Sequence, residues 1–204
     1  MSKKPGVDPT ALIERILSSS KTLFAKKGYS GTSMRDIARL ADCSQSMISH
    51  HFGSKAELWH HVKDESLANY MLQMRASDSM LSGKNFEEEL SLFIDQRLTH
   101  FDKEPDMIRM VMWATLEELE DDKPPKLKEL MNVFVSSIRQ AQSEGEIRND
   151  IEPELIAYFV FFSTRSWFQD RKGWILKALD MEQAEGLKEF SASLKKILKG
   201  GIFT

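Results

Sequence analysis

Gln45, Ser46, Met47, Ser49 and His50 fall within one short stretch, and their side chains suit the reading of base edges. A glutamine amide pairs bidentately with adenine, a methionine meets a thymine methyl, and a serine is a compact donor and acceptor for either. Upstream, Arg35 has the reach for a guanine edge or a phosphate, or for an ion pair with Asp36 or Asp42. Lys55 poses a sharper question. A cation in the first turn of a helix opposes the helix dipole at a cost of about 0.3–1 kcal/mol, so it needs a compensating partner. Free backbone amides at that helix start, with Lys55 and His51, would form an anion site for a DNA phosphate; a solvated lysine is the alternative. Ser33 and Ser44, at the starts of the segments that carry these groups, complete the candidate DNA-contacting set.

These side chains need two short helices crossing at a tight turn, and the sequence from Ser33 to Leu58 supplies them. Ala38, Asp42 four residues on and Ile48 six further have the spacing of a helix-turn-helix. The small alanine lets the second helix cross close to the first, Asp42 sits at the turn, and Ile48 locks the second helix back. Ile37, Ala41, Cys43 and Phe52 supply the remaining apolar positions. Ser33 with Asp36, Ser44 alone, and Ser54 with Glu57 in an S-x-x-E pattern are three helix start signals. The turn asks Asp42 for a left-handed backbone, which glycine adopts most readily and aspartate tolerates better than most residues.

The same residues resemble the tetracycline-repressor (TetR) family of bacterial transcription regulators. The resemblance rests on Gly28-Tyr29 closing a first helix, on Thr32 to Ala38, on Ala41 to Ser44, and above all on His51-Phe52-Gly53-Ser54-Lys55 followed by Glu57-Leu58. It covers roughly residues 8 to 62. The chain departs from the family pattern at Ser49 and His50, where phosphate-touching tyrosines are common, and at Asp42. The resemblance implies an all-α protein with an N-terminal three-helix helix-turn-helix DNA-binding domain and a C-terminal helical ligand-binding and dimerisation domain. It implies a homodimeric regulator of the repressor type that grips double-stranded operator DNA and is released by a small-molecule effector. Neither catalysis nor a cofactor is expected.

The 204 residues allow one or two domains, and the helical signals decide for two. Residues 1–54 form the expected DNA-binding domain and 55–204 the effector-binding and dimerisation domain, with a helix over 55–75 linking them. The net charge of −3 looks unsuited to DNA until it is divided along the chain. Through Asp64 there are ten Lys and Arg against six Asp and Glu, a surplus of +4, so the rest of the chain carries −7. That asymmetry fits a basic DNA-facing end and an acidic body kept off the phosphates. Cys43 is the single cysteine, which excludes an intramolecular disulfide and fits a reducing cytoplasm. The first residues are polar and no apolar run nears the ~20 residues of a membrane span, so neither a signal peptide nor a membrane partner is expected.

Asp8-Pro9 opens the first helix, and Leu12, Ile13, Ile16, Leu17, Leu23 and Phe24 make its buried stripe before Gly28 ends it. The linking helix carries Leu58, Val62, Tyr70, Met71 and Met74 on its inner side. Further helices are expected over about 85–102, 105–121, 125–146, 153–171 and 182–199, punctuated by Gly83, Pro105, Pro124-Pro125, Gly145, Pro153 and Gly173. The run Trp174 to Leu179 fits a helical piece or a connection.

The larger domain is rich in methionine and aromatic side chains over residues 107–113 and 158–168. Plain core is one reading. The family resemblance implies a small-molecule pocket, and soft Met and aromatic linings suit a largely apolar ligand. His100, Met110, Trp113, Phe162 and Arg165 are the candidate lining, with Arg165 placed to meet an anionic group or to pair with an acidic neighbour. In the last helix Leu187, Phe190, Leu194 and Ile197 recur at helical spacing. The resemblance implies that the last two long helices pair with their copies, which makes Phe161, Phe168, Leu187, Phe190, Leu194 and Ile197 the candidate dimer interface; an intramolecular core is the alternative.

Two rival readings are a metal-binding or enzymatic helical protein that contains a helix-turn-helix, and an architectural DNA binder without a ligand. The doublets His50-His51 and His60-His61 invite the first. Adjacent residues on a helix point about 100° apart, however, so neither doublet chelates as a unit. No H-E-x-x-H or G-x-S-x-G motif supports metal or nucleophile chemistry.

Overall fold

Leu12, Ile16 and Phe24 recur on one face of α1 (Pro9–Lys27) and are buried there. Gly28 ends the helix with a left-handed φ of 75°, its N–H donating to the Phe24 carbonyl at 2.9 Å. Then follow α2 (Met34–Leu40), α3 (Gln45–Phe52), α4 (Lys55–Asp78), α5 (Phe86–Lys103), α6 (Pro105–Leu116), α7 (Pro125–Ser143), α8 (Pro153–Gln169) and α9 (Gln183–Ile202). This computed structural model describes residues 9–78, 85–119, 125–169, 177, 178, 180 and 183–204, with 73–78, 125, 126 and 183–185 described by backbone alone. The expected Asp8 cap, the side chain of Met74 and most of the run Trp174 to Leu179 lie outside the described residues. The protein is all-α, as the sequence implies. Among the described residues, extended backbone pairs outside the helices at the isolated bridge between Ile147 and Phe203.

Two compact units divide the described residues: 9–67 with 109–119, and the other described residues from 68 to 108 and from 125 to 204. In the first, Ile37 and Ala38 of α2, Ile48 and Phe52 of α3, Leu58, Trp59 and Val62 of α4 and Met110 of α6 close one core with the α1 stripe. Phe24 meets Trp59 edge-to-face with ring centroids 4.9 Å apart. Helices as short as α2 and α3 do not persist alone in water. Each large apolar side chain buried in this shared core stabilises them by roughly 1.5–3 kcal/mol.

The second unit is built around α5, whose buried face runs through Phe86, Leu90, Phe93, Ile94, Arg97, Leu98 and Phe101. It packs against α7, α8 and α9, which bury Phe134 and Ile138, Ile156, Val160 and Thr164, and Leu194 and Leu198 respectively. The chain end is tied back: the Arg148 N–H donates to the Ile202 carbonyl at 2.8 Å and the Thr204 hydroxyl to the Gly145 carbonyl at 2.8 Å. The helix expected to run to about 121 stops at Leu116. There Glu118 takes a left-handed φ of 50°, and the Leu119 N–H returns to the Ala114 carbonyl at 3.1 Å.

Candidate nucleic-acid interface

Three capped helix starts set this site. Ser33 Oγ accepts from the Asp36 N–H at 3.1 Å and donates to its carboxylate at 2.8 Å. That hydrogen bond, with Lys27 and Arg39 nearby, holds Asp36 below the usual carboxylate range. Ser44 Oγ accepts from the Met47 N–H at 3.2 Å. At the third start, Ser54 and Glu57 form a reciprocal box: Ser54 N–H to Glu57 Oε2 at 2.7 Å, and Glu57 N–H to Ser54 Oγ at 3.2 Å. Between α2 and α3, Asp42 takes the left-handed backbone that the turn requires, with φ 50°. The Cys43 N–H then closes onto the Ala38 carbonyl at 3.0 Å. Burial raises the Cys43 thiol above its ordinary value, so it stays protonated and packs as a small apolar group.

With Ile48 fully buried and Phe52 nearly so, α3 has one orientation available. Gln45, Ser46, Met47, Ser49, His50 and His51 are all left exposed. An amide, two small hydroxyls and a flexible thioether on one short, capped helix make a surface that can follow the floor of a major groove. Arg35 is also exposed and forms no ion pair among the described residues, because Asp36 is taken by Arg39 at 2.7 Å and Lys27 at 3.9 Å. Its guanidinium is therefore available for a phosphate or a base.

Lys55 is placed differently from its neighbours. Its Nζ donates to the carbonyls of Tyr29 at 2.9 Å and Thr32 at 3.0 Å, and it stands 4.2 Å from the Tyr29 ring centre. The compensation that its position at a helix start demands comes from within the unit. Two of its three N–H groups are spent on pinning the α1–α2 connection, and one remains for a phosphate. Sequence reasoning missed Tyr29 and Thr32 as its partners. It also missed Arg109 and Trp113, which both donate to the Ala25 carbonyl, at 3.1 and 3.2 Å, and Glu117, which accepts from the Ser30 N–H at 3.2 Å. A Cβ on Gly28 would meet the Trp113 ring carbons Cδ2 and Cε3 at 2.9 Å and the movable end of Glu117 at 2.4 Å, but it is the left-handed φ that requires glycine there.

Two sequence profiles match the chain: "Bacterial regulatory proteins, tetR family" over residues 16–62 and "Tetracyclin repressor-like, C-terminal domain" over residues 90–195. The chain belongs to the TetR family. It is thus a helix-turn-helix DNA-binding transcription regulator and not an enzyme. Among its TetR-type relatives is the HTH-type regulator YttP of Bacillus subtilis, 31% identical over 98 residues, 48% of this chain and about half (47%) of that protein. The negative transcriptional regulator IcaR of the Staphylococcus aureus biofilm operon icaADBC is 26% identical over 192 residues, covering 89% of this chain and 92% of its own. The crystal structure of the regulator FadR from Bacillus subtilis, in complex with stearoyl-CoA, shares the fold with a TM-score of 0.68 at 16% identity, covering 91% of this chain and 97% of that one. No described helix is long and apolar enough to cross a membrane.

The residues assigned from sequence to the TetR-type ligand pocket are divided between the two units. Met110 is core of the first unit and Trp113 hydrogen-bonds Ala25 there. His100 is buried in the second unit, its Nε2 3.4 Å from Met107 Sδ and its ring against Tyr70. Phe162 is exposed and stacks on Tyr158, while Arg165 lies against the Phe162 ring with its Nε buried and without a hydrogen-bond partner among the described residues. The proposed dimer residues divide as well. Phe168 (8% exposed) and Leu194 (4%) are buried within the chain, and Phe161 is half-buried, its ring tilted against Phe93 and edge-on to Phe134. Phe168 and Leu194 are core: Phe168 meets Phe101 of α5 edge-to-face with ring centroids 5.7 Å apart, and α9, which carries Leu194, packs against α5. Leu187 and Phe190 are half-buried, the latter stacked on Trp167, and Ile197 is exposed.

Proposed function

We propose that the protein is a repressor that works in the cytoplasm as a homodimer, holding an operator with two copies of α3 and letting go when a small effector binds the second unit. The observation that carries the DNA-binding part is the outer face of α3, where every side chain from Gln45 to His51 except Ile48 is exposed, on a helix fixed by its cap and two buried anchors. Gln45, Ser46, Met47 and Ser49 face bases or the groove rim, and Arg35 reaches a guanine edge or a phosphate. Ser33, Ser44, His50, His51 and the remaining N–H of Lys55 serve the phosphates on either side. Two such units address half-sites about 34–36 Å apart, one helical turn, or a somewhat larger interval.

Dimerisation is assigned to the exposed stripe Leu155, Tyr158, Phe159 and Phe162 of α8 with Ile197 of α9, since i, i+3, i+4, i+7 spacing puts the four α8 side chains on one face. Contiguous large apolar groups left in water mark an interaction surface. Repression is supported by the name of IcaR, a negative regulator. Response to a ligand is supported by the stearoyl-CoA held in the FadR structure. In this reading the effector acts through α4 and α6, each of which belongs to both units, and changes the separation of the two α3 helices. Selection of bound sites from random DNA tests the whole: it should return a two-fold symmetric site whose binding depends on protein dimers. Recovery of no preferred sequence would leave an architectural binder instead.

A further inference from the structure

Arg97 of α5 is only 4% exposed, in the middle of the second unit. Its Nε donates to Thr164 Oγ1 at 3.0 Å and its Nη1 to the Tyr70 hydroxyl at 3.2 Å, while Nη2 has no hydrogen-bond partner among the described residues. The guanidinium carbon stands 3.9 Å from the ring centre of Phe161, 4.9 Å from Phe101, 5.7 Å from Phe93 and 5.8 Å from Tyr70. No carboxylate pairs with it among the described residues. The ion pairs of α5, Glu87 with Lys199 and Asp95 with Lys195, involve other side chains of the helix.

Both of its acceptors are neutral. Thr164 Oγ1 donates its own proton to the Val160 carbonyl at 2.8 Å, and burial raises the Tyr70 phenol above its ordinary value despite the neighbouring cation. An arginine cannot shed its proton to escape burial as a lysine does, nor neutralise itself as a carboxylate does by taking a proton up. Aromatic faces offset part of the cost of an enclosed cation, but buried charges are ordinarily paired. The second unit thus holds an oriented cation whose counter-charge is not supplied by the described residues.

We propose that the effector is a carboxylate on an apolar skeleton and that Arg97 receives its charged end; this rests on the ligand-sensing reading above. The planar guanidinium fork matches a carboxylate, and its free N–H groups are the donors that would meet the two oxygens. One positive charge is balanced by one carboxylate, whereas a phosphate dianion would leave net negative charge among aromatic rings. The surrounding rings of Phe93, Phe101 and Phe161 suit the apolar remainder of the molecule.

The test uses the full chain and two measurements. Arg97→Met keeps bulk and removes charge, and its melting temperature without ligand should equal or exceed that of the wild type, because an apolar residue replaces an uncompensated buried cation. In the second measurement, octanoate, dodecanoate and phenylacetate are each titrated by calorimetry alongside the alcohol of the same skeleton. Wild type should bind at least one carboxylate about tenfold or more tightly than its alcohol, Arg97→Met should lose that preference, and Arg97→Lys should keep part of it. A lower melting temperature for Arg97→Met, restored in Arg97→Lys, would make Arg97 a structural cation and overturn the proposal. Equal affinities for acid and alcohol, or no saturable binding of any carboxylate, would overturn it too. The two readings fail separately. A neutral effector that releases DNA equally from wild type and Arg97→Met keeps the sensor and removes Arg97, whereas a carboxylate that binds through Arg97 without changing operator affinity keeps the site and removes the sensor.

Discussion

The ammonium of Lys55 lies 2.9 Å from the carbonyl oxygen of Tyr29, so the first residue of α4 closes the connection between α1 and α2. This joins the helix that leaves the DNA-binding unit to the backbone that orients α2. The contact is charge-assisted and doubled at Thr32, which makes the lysine a fastening as much as a surface cation.

Lys55→Met should therefore destabilise the first unit by about 1.5–3 kcal/mol, the range for hydrogen bonds to charged groups. Urea unfolding gives the loss, and amide hydrogen exchange should quicken over residues 28–33. Binding to all DNA sequences should weaken in step. If the unfolding midpoint stays put while the salt slope of DNA binding falls by about 0.9, Lys55 is a phosphate cation and the pin is energetically idle.

Gln45 and Arg35 should separate the two kinds of contact. Gln45→Ala is expected to relax preference at one base pair, worth roughly 1–3 kcal/mol, with the salt slope unchanged. Arg35→Ala, if the guanidinium meets a phosphate, should lower the slope by about 0.9 and leave the preferred sequence alone. Binding-site selection on both variants at several salt concentrations checks this; a shifted consensus for Arg35→Ala would move that residue from backbone to base.

Much of this unit was legible because its determinants are local. The caps at Ser33, Ser44 and Ser54, the left-handed Asp42 and the buried Ile48 each follow from residue type at a fixed offset, and the structure has all of them. The partners of Lys55 were not legible, since they lie 23 and 26 residues away and are main-chain carbonyls, for which side-chain type carries no signal. The same holds for Trp113 and Glu117, which reach Ala25 and Ser30 across more than 80 residues. In the second unit an apolar stripe has the same spacing whether it faces the core or a partner. Phe161, Phe168 and Leu194 therefore read alike as seam candidates, whereas Phe168 and Leu194 are buried within one chain and Phe161 is half-buried. Arg97 went unnoticed because a lone arginine in an amphipathic helix looks solvent-facing until its neighbours are known.

Glu57 gives the helix-turn-helix a dependence on acid. The Ser54 N–H first, and then its hydroxyl, hold the Glu57 carboxyl below the usual carboxylate range. A group whose folded value is depressed contributes stability above its unfolded value and loses it as pH falls through the folded one. Glu57→Gln should thus be less stable than wild type at neutral pH, with the gap closing in acid below the ordinary carboxylate range as Glu57 itself becomes protonated. Denaturant midpoints across that range measure it; a gap constant with pH would mean that shape rather than charge closes the box.

The dimer surface can be tested by contrast between an exposed pair on α8 and a buried residue on α9. Tyr158 and Phe162 are 62% and 44% exposed, so Tyr158→Glu with Phe162→Glu should leave the fold and its helix content intact while placing charges where a partner must desolvate them. Sedimentation should then show monomers, and operator affinity should collapse because one α3 reads only a half-site. Leu194→Glu, at a position that α5 covers, should instead unfold the second unit, since a charge is forced into the core without a counter-ion. The seam belongs elsewhere if the double variant still sediments as a dimer. If Leu194→Glu gave folded monomers, its burial within one chain would not be what holds it, and α9 would return as the main surface.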